Sequence, residues 1–170
     1  MKPFRLTSIV LAVALFAAAG CQSQPTSTET PYAPVIDPAD FVAAIDNPFF
    51  PLEPGTTRVY EGLTSDGAER VEDYVTFETK EVLGVICVIL RNRVTLDGEL
   101  IEETYDWYAQ DREGNVWYFG EDAKDYENGA VVSAAGSWEA GVDGALPGII
   151  MKAAPQVGDS YRQEYYAGVA

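Results

Sequence analysis

The stretch Thr104–Glu121, TYDWYAQDREGNVWYFGE, sets two aromatic segments either side of a glycine-containing turn and holds two of the three tryptophans. Successive strand side chains point to opposite faces, so the register of such a hairpin decides which rings are inside. A three-residue loop Arg112-Glu113-Gly114, with Gly114 in the left-handed region, sets Asp111 opposite Asn115. Ala109 then faces Trp117, Trp107 faces Phe119 and Tyr105 faces Glu121. That register gathers Tyr105, Trp107, Ala109, Trp117 and Phe119 on one side. The other side carries Asp106, Tyr108, Gln110, Val116, Tyr118 and Gly120, a mixed and more water-tolerant set. Aromatic rings supply much of the apolar area of a small β domain, so these rings are read first as core and second as a ligand platform.

The rest of the chain alternates in the same way. Thr56–Leu63 is the first expected strand, and Ser65-Asp66-Gly67 turns it into Ala68–Lys80. Gly84 breaks the chain before Val85–Thr95, whose VICVIL run is apolar on both faces and therefore central and covered. Asp97-Gly98 and Asn128-Gly129 are hairpin turn pairs. Asp37 caps a short N-terminal helix with Pro38 at its first position and Phe41, Val42 and Ile45 on its apolar face, and Asn47-Pro48 ends it. Asp122–Asn128 reads as a solvated acidic turn, Val131–Ala135 as a short strand and Gly136–Gly148 as an irregular loop. Ile149–Ala153 reads as a helical turn and Ser160–Tyr166 as a last strand with no visible partner. The fold class is mainly β: an antiparallel meander or twisted half-barrel.

Composition narrows the function classes. Removing residues 1–20 takes away Lys2 and Arg5 and no acid, leaving 9 basic against 27 acidic residues, a net −18. Such a surface repels phosphate backbones, which argues against a nucleic-acid partner. The chain has no histidine, which excludes histidine-dependent nucleophile pairs and histidine zinc sites. It shows no glycine-rich phosphate loop and no paired CxxC, so no catalytic residue, metal site or cofactor is assigned. Of the two cysteines, Cys87 lies in the VICVIL run and reads as a buried small hydrophobe.

Residues 1–20 have the parts of an export signal: Lys2 and Arg5, an apolar centre Ile9–Phe16, and a small-residue end Ala17–Gly20. The sequence Ala18-Ala19-Gly20-Cys21 resembles the lipobox of bacterial lipoproteins. That resemblance implies cleavage before Cys21, acylation of its thiol and new amino terminus, and export to a membrane-anchored state on the periplasmic side or cell surface. Gln22 rather than Asp after the cysteine implies the outer membrane where the organism has one. Several acyl chains anchor lastingly where one does not. Residues 21–35, rich in Ser, Thr and Pro, read as a flexible tether to a single β domain over residues 36–170.

The run NPFFPLEPGTT from Asn47, the runs DWYAQD from Asp106 and GNVWYFGE from Gly114, and GSWEAGVDGA from Gly136 together resemble a family of uncharacterised bacterial secreted proteins and lipoproteins. The resemblance covers most of residues 47–166 and brings no activity with it. Its members continue past the point where this chain stops, implying that residues 1–170 are an incomplete copy lacking C-terminal strands. The general plan is similar to the half-barrels of lipoprotein-carrier-like domains, a likeness of fold that carries no function.

The candidate ligand-binding residues are Tyr105, Trp107, Glu121, Trp138, Glu139 and Asp143, where rings and carboxylates meet in the sequence. Rings stack on sugar CH faces while acids accept hydroxyl hydrogen bonds. The expectation is a lipid-anchored envelope module that binds a ligand, such as a glycan or lipid, or a partner, without turning it over. A carboxylate-dependent glycan-binding protein or hydrolase and a purely structural lipoprotein are the alternatives.

Overall fold

The computed structural model describes residues 31–168, which from Tyr32 onward form one compact unit. The export segment, Cys21 and most of the tether lie outside the described residues. The chain is mainly β, an antiparallel sheet forming a half-barrel. Five long strands form the meander: β2 (Thr57–Leu63), β3 (Ala68–Val82), β4 (Val85–Leu96), β5 (Glu99–Asp111) and β6 (Val116–Glu127). Five shorter ones complete it: β1 (Phe41–Val42), β7 (Ala130–Ser133), β8 (Trp138–Glu139), β9 (Leu146–Met151) and β10 (Glu164–Tyr165). The order across the sheet is β10-β9-β6-β5-β4-β3-β2, with β1 beside the end of β5 and β7 and β8 beside β6.

The expected turns form because their residues accept left-handed backbone. Leu83-Gly84, Asp97-Gly98 and Asn128-Gly129 each place both residues at positive φ, the requirement of a tight hairpin. At the aromatic hairpin the Asp111 amide donates to the Asn115 carbonyl at 2.9 Å, and Gly114 sits at φ +93°. The Asp111 carboxylate accepts from the Glu113 and Asn115 amides, and its other oxygen accepts from Asn115 Nδ2 and Trp117 Nε1. One side chain thereby fixes the loop.

The expected register holds at Ala109–Trp117 and then shifts at a bulge. Phe119 is the extra residue, so Trp107 pairs with Gly120, Asp106 with Glu121 and Tyr105 with Asp122. Trp107 and Phe119 both remain buried on one side of the sheet, although they are not paired. The second side differs more from expectation. Asp106, Tyr108, Gln110, Val116 and Tyr118 are all buried, because residues 45–52 fold over them. Both faces of the hairpin are therefore core, and we refer to them as the tryptophan face and the tyrosine face.

Other expectations are corrected by long-range pairing. The short N-terminal helix is one 3-10 turn, Pro38–Asp40, with Asp37 capping the Ala39 amide. Phe41 and Val42 leave it to pair with Asp111 and Gln110 on β5, and Ile45 bridges to Leu52. Asp122–Glu127 extends β6 rather than turning, since Asp125 pairs with Glu102. The 136–148 loop contains β8, which docks on Gly120 and Glu121, and the start of β9. Ile149–Met151 is strand rather than helix, paired to the first residues of β6. Of Ser160–Tyr166 only Glu164–Tyr165 is strand, and its partner is β9.

Candidate functional site

Strand pairing arranges the tyrosine face in rows, because directly opposed residues share a side. One row runs Leu90, Asp106, Glu121, Trp138 across β4, β5, β6 and β8. On one flank lies Val88, Tyr108, Tyr118, Gly148. On the other lies Arg58, Asp73, Asn92, Thr104, Ala123. The alternation of β5, not proximity in sequence, brings Asp106 beside Tyr108.

Tyr118 is stacked on Tyr108 with ring centroids 4.8 Å apart, and it donates its hydroxyl to Asp106 Oδ1 at 2.8 Å. Phe50 meets Tyr108 edge-on at 5.2 Å, and Trp138 meets Tyr118 the same way at 5.2 Å. A cavity of about 350 Å³ opens beside this group, and its wall includes Phe50, Arg58, Tyr60, Asp73, Asp106 and Tyr108. Asn92 Nδ2 holds Asp73 Oδ1 at 2.7 Å in the same wall. Phe50 reaches the site because Gln110 Oε1 accepts from the Asp46 and Asn47 amides at 3.0 and 2.9 Å, pinning the 45–52 segment to β5.

Burial governs the electrostatics of this row. Burial pushes the Asp106 carboxyl up to about 7; the Tyr118 hydrogen bond opposes the shift, and the charges of Glu121, Asp73 and Glu102 add to it. Burial also raises Glu121, with Glu164 contributing. The hydroxyls of Tyr108 and Tyr118 are raised as well, by burial first and Asp106 second. Trp138 is 5% exposed, and its indole N–H is buried without a hydrogen-bond partner. The Trp138 indole nonetheless favours the ionised form of Glu121, opposing the effect of burial there.

The six residues expected from sequence are divided. Glu121 and Trp138 stand in the Asp106 row. Trp107 and Glu139 lie on the opposite face, joined by Lys80, whose Nζ is 2.9 Å from Glu139 and 3.7 Å from the Trp107 ring centroid. Tyr105 is also on the tryptophan face, opposite Arg91 and Asp122. Asp143 sits on an exposed turn at φ +49°, apart from both groups. Sequence reading missed Asp106, Asp73, Asn92 and Tyr118. The signal for Asp106 is an acid at an inward position of an otherwise aromatic strand.

A second hollow of about 300 Å³ lies between residues 35–41 and the hairpin turn. Its Asp111 is committed to the loop, and it has no buried acid of the Asp106 kind. Among the described residues no three acids or cysteines converge as ligands for a metal ion, and no helix is long and apolar enough to cross a membrane. Comparison of the chain with family models, curated proteins and solved structures finds no match. The resemblance carried by residues 47–166 therefore rests on its motifs alone.

Proposed function

We propose that this chain is a lipid-anchored cell-envelope β module that binds a ligand on its tyrosine face without turning it over. The observation that carries the reading is Asp106, a carboxyl buried in the wall of a cavity edged by Phe50 and Tyr108. A buried acid that titrates near neutrality weakens the fold where it sits, and such groups concentrate at binding and catalytic sites. Binding is favoured over hydrolysis by the placement of the acids. A glycosidase needs two carboxyls flanking one bond, whereas Glu121 and Glu139 stand on opposite faces of the sheet and Glu139 is held by Lys80. Glycans and lipids are the ligands to screen.

Titration of the Gln22–Ala170 chain with cell-wall glycans and lipids tests this. Binding should be weakened by Asp106→Asn and by Phe50→Ala, and the ligand should be recovered unchanged. Turnover of a bound compound, or binding indifferent to both substitutions, would defeat the reading. For the anchor, Cys21→Ser should move the chain from the membrane to the soluble fraction. Retention in the membrane would remove Cys21 as the attachment point.

A further inference from the structure

We propose that the cavity beside Asp106 takes one unit of a neutral sugar, its hydroxyls held between Arg58 and Asp73 and at Asp106, its ring laid against Phe49 and Tyr60. This rests on the reading that the tyrosine face binds a ligand, and it chooses among ligands by charge and hydrogen bonding.

The first ground is an opposed pair of charges that do not meet. Arg58 on β2 faces Asp73 on β3 directly across the ladder, and both line the cavity. They form no ion pair with one another. The Arg58 guanidinium donates instead to the Pro51 carbonyl, and Asp73 Oδ1 accepts from Asn92 Nδ2 at 2.7 Å. A cation in this cavity meets Arg58 and an anion meets Asp73, so net charge of either sign is opposed. A hydroxyl escapes both: it accepts from the guanidinium and donates its own proton to the carboxylate.

The second ground is unused hydrogen-bonding capacity around an open space. Asp106 is 8% exposed and lines the cavity; its Oδ1 accepts from Tyr118, and its Oδ2 accepts from no described residue. Asp73 Oδ2, Asn92 Oδ1 and the Tyr108 hydroxyl likewise have no partner among the described residues. None of these atoms is sealed from solvent, because the fully buried side-chain polar atoms without partners belong to Arg91, Arg93 and Trp138. The hollow of about 350 Å³ that they border has room for a sugar ring. An acyl chain there would strip water from these groups and return no hydrogen bond. Sugar hydroxyls return them in either sense, since each both donates and accepts. At the rim Phe49 is 58% and Tyr60 54% exposed. Their rings offer flat apolar faces on which the C–H face of a sugar packs.

Calorimetric titration of the Gln22–Ala170 chain with probes that share one ring tests this. Glucose and N-acetylglucosamine are neutral, while glucosamine is their cationic counterpart and glucuronate their anionic one. Betaine serves as a zwitterion without hydroxyls. A neutral sugar should bind at least about tenfold more tightly than the charged ones. Its affinity should change less than about twofold between about 20 mM and about 500 mM salt. Arg58→Met and Tyr60→Ala should each weaken it about five- to tenfold. Arg70→Met makes the same chemical change on the tryptophan face and should leave binding unchanged.

Tighter binding of glucosamine, glucuronate or betaine than of the neutral sugars overturns the proposal while leaving the ligand site in place. Neutral-sugar binding that Arg58→Met and Tyr60→Ala do not weaken, or that Arg70→Met weakens equally, lies elsewhere and also overturns it. If no sugar binds but a lipid from the separate screen does, and Asp106→Asn weakens it, the tyrosine-face reading survives and the sugar does not. If neither binds, both fall.

Discussion

Tyr118 donates its hydroxyl to Asp106 Oδ1 at 2.8 Å across neighbouring strands. The bond favours the ionised carboxyl, yet burial and the surrounding acids outweigh it and the group rises from 3.8 to about 7. The folded chain therefore holds this proton more tightly than the unfolded chain does. The contribution to stability is fully present below about pH 4 and is lost as pH rises through about 7. Asn in this place accepts the same hydroxyl and has no proton to lose. Relative to the native chain, Asp106→Asn should gain about 2–3 kcal/mol between about pH 5 and about pH 8. Urea unfolding followed by tryptophan fluorescence at the two pH values measures this. A stability difference that does not change with pH would show that Asp106 titrates normally.

The bulge at Phe119 makes a second prediction. Gly120 sits at φ +136°, and a Cβ there would lie 2.3 Å from the Trp138 carbonyl oxygen and 2.9 Å from Glu139 Cα. Both are backbone atoms of β8, so no rotamer change relieves the clash. Gly120→Ala should cost about 3 kcal/mol or more and loosen β8 from β6. Gly62 on β2 is the control, since a Cβ there meets nothing within 4 Å. Gly62→Ala should stay within about 0.5 kcal/mol of the native chain. Thermal unfolding of the two variants settles it, and equal midpoints would mean that β8 does not approach so closely.

What could be read in advance follows from the range of the forces involved. Asp97-Gly98 and Asn128-Gly129 were legible because a tight turn requires positive φ at both positions, a local demand. The pairing near Asp111 was legible for the same reason, and it failed only beyond Tyr118. Gly120 inside a strand was itself a mark of the bulge. Residues 146–151 were not legible, because β9 is placed by contacts far away in sequence. A Cβ on Gly148 would lie 2.4 Å from the Arg162 carbonyl oxygen, an approach that no local pattern discloses. The site was half legible. Glu121 and Trp138 stood out as an acid and a ring, but Asp106 gains its meaning from Phe50, which residues 45–52 carry onto Tyr108.

Cys87 is fully buried in β4, and its thiol is pushed up to about 12 by burial, with Glu139 adding to the shift and Lys80 opposing it. Only the thiolate reacts with disulfide and alkylating reagents. Labelling of the native chain at about pH 8 should be slower than that of the urea-unfolded chain by on the order of a thousandfold. Its rate should follow the opening of the β3–β4 hairpin. Rapid native-state labelling would contradict the burial.

Asn47 offers the sharpest test of how the cavity wall is held. It is 2% exposed, and its Nδ2 donates to the Gly114 carbonyl at 2.8 Å and the Lys152 carbonyl at 3.1 Å. Its Oδ1 accepts from the Phe49 amide at 2.8 Å. One side chain thus ties the segment bearing Phe49 and Phe50 to the hairpin turn and to the residue after β9. Asn47→Ala strands both carbonyls and should cost about 2–4 kcal/mol. Asn47→Asp keeps the shape but sets a carboxylate oxygen against those two carbonyls, replacing attraction by repulsion. At neutral pH it should be at least as damaging as alanine despite being nearly isosteric. Both variants should speed hydrogen exchange at the Phe50 and Leu52 amides, which bond to the Asn47 and Ile45 carbonyls. With Phe50 no longer held against Tyr108, ligand affinity should fall in parallel. An aspartate variant as stable as the native chain would mean that apolar packing of Leu52 and Phe50, not the Asn47 amide, holds this wall.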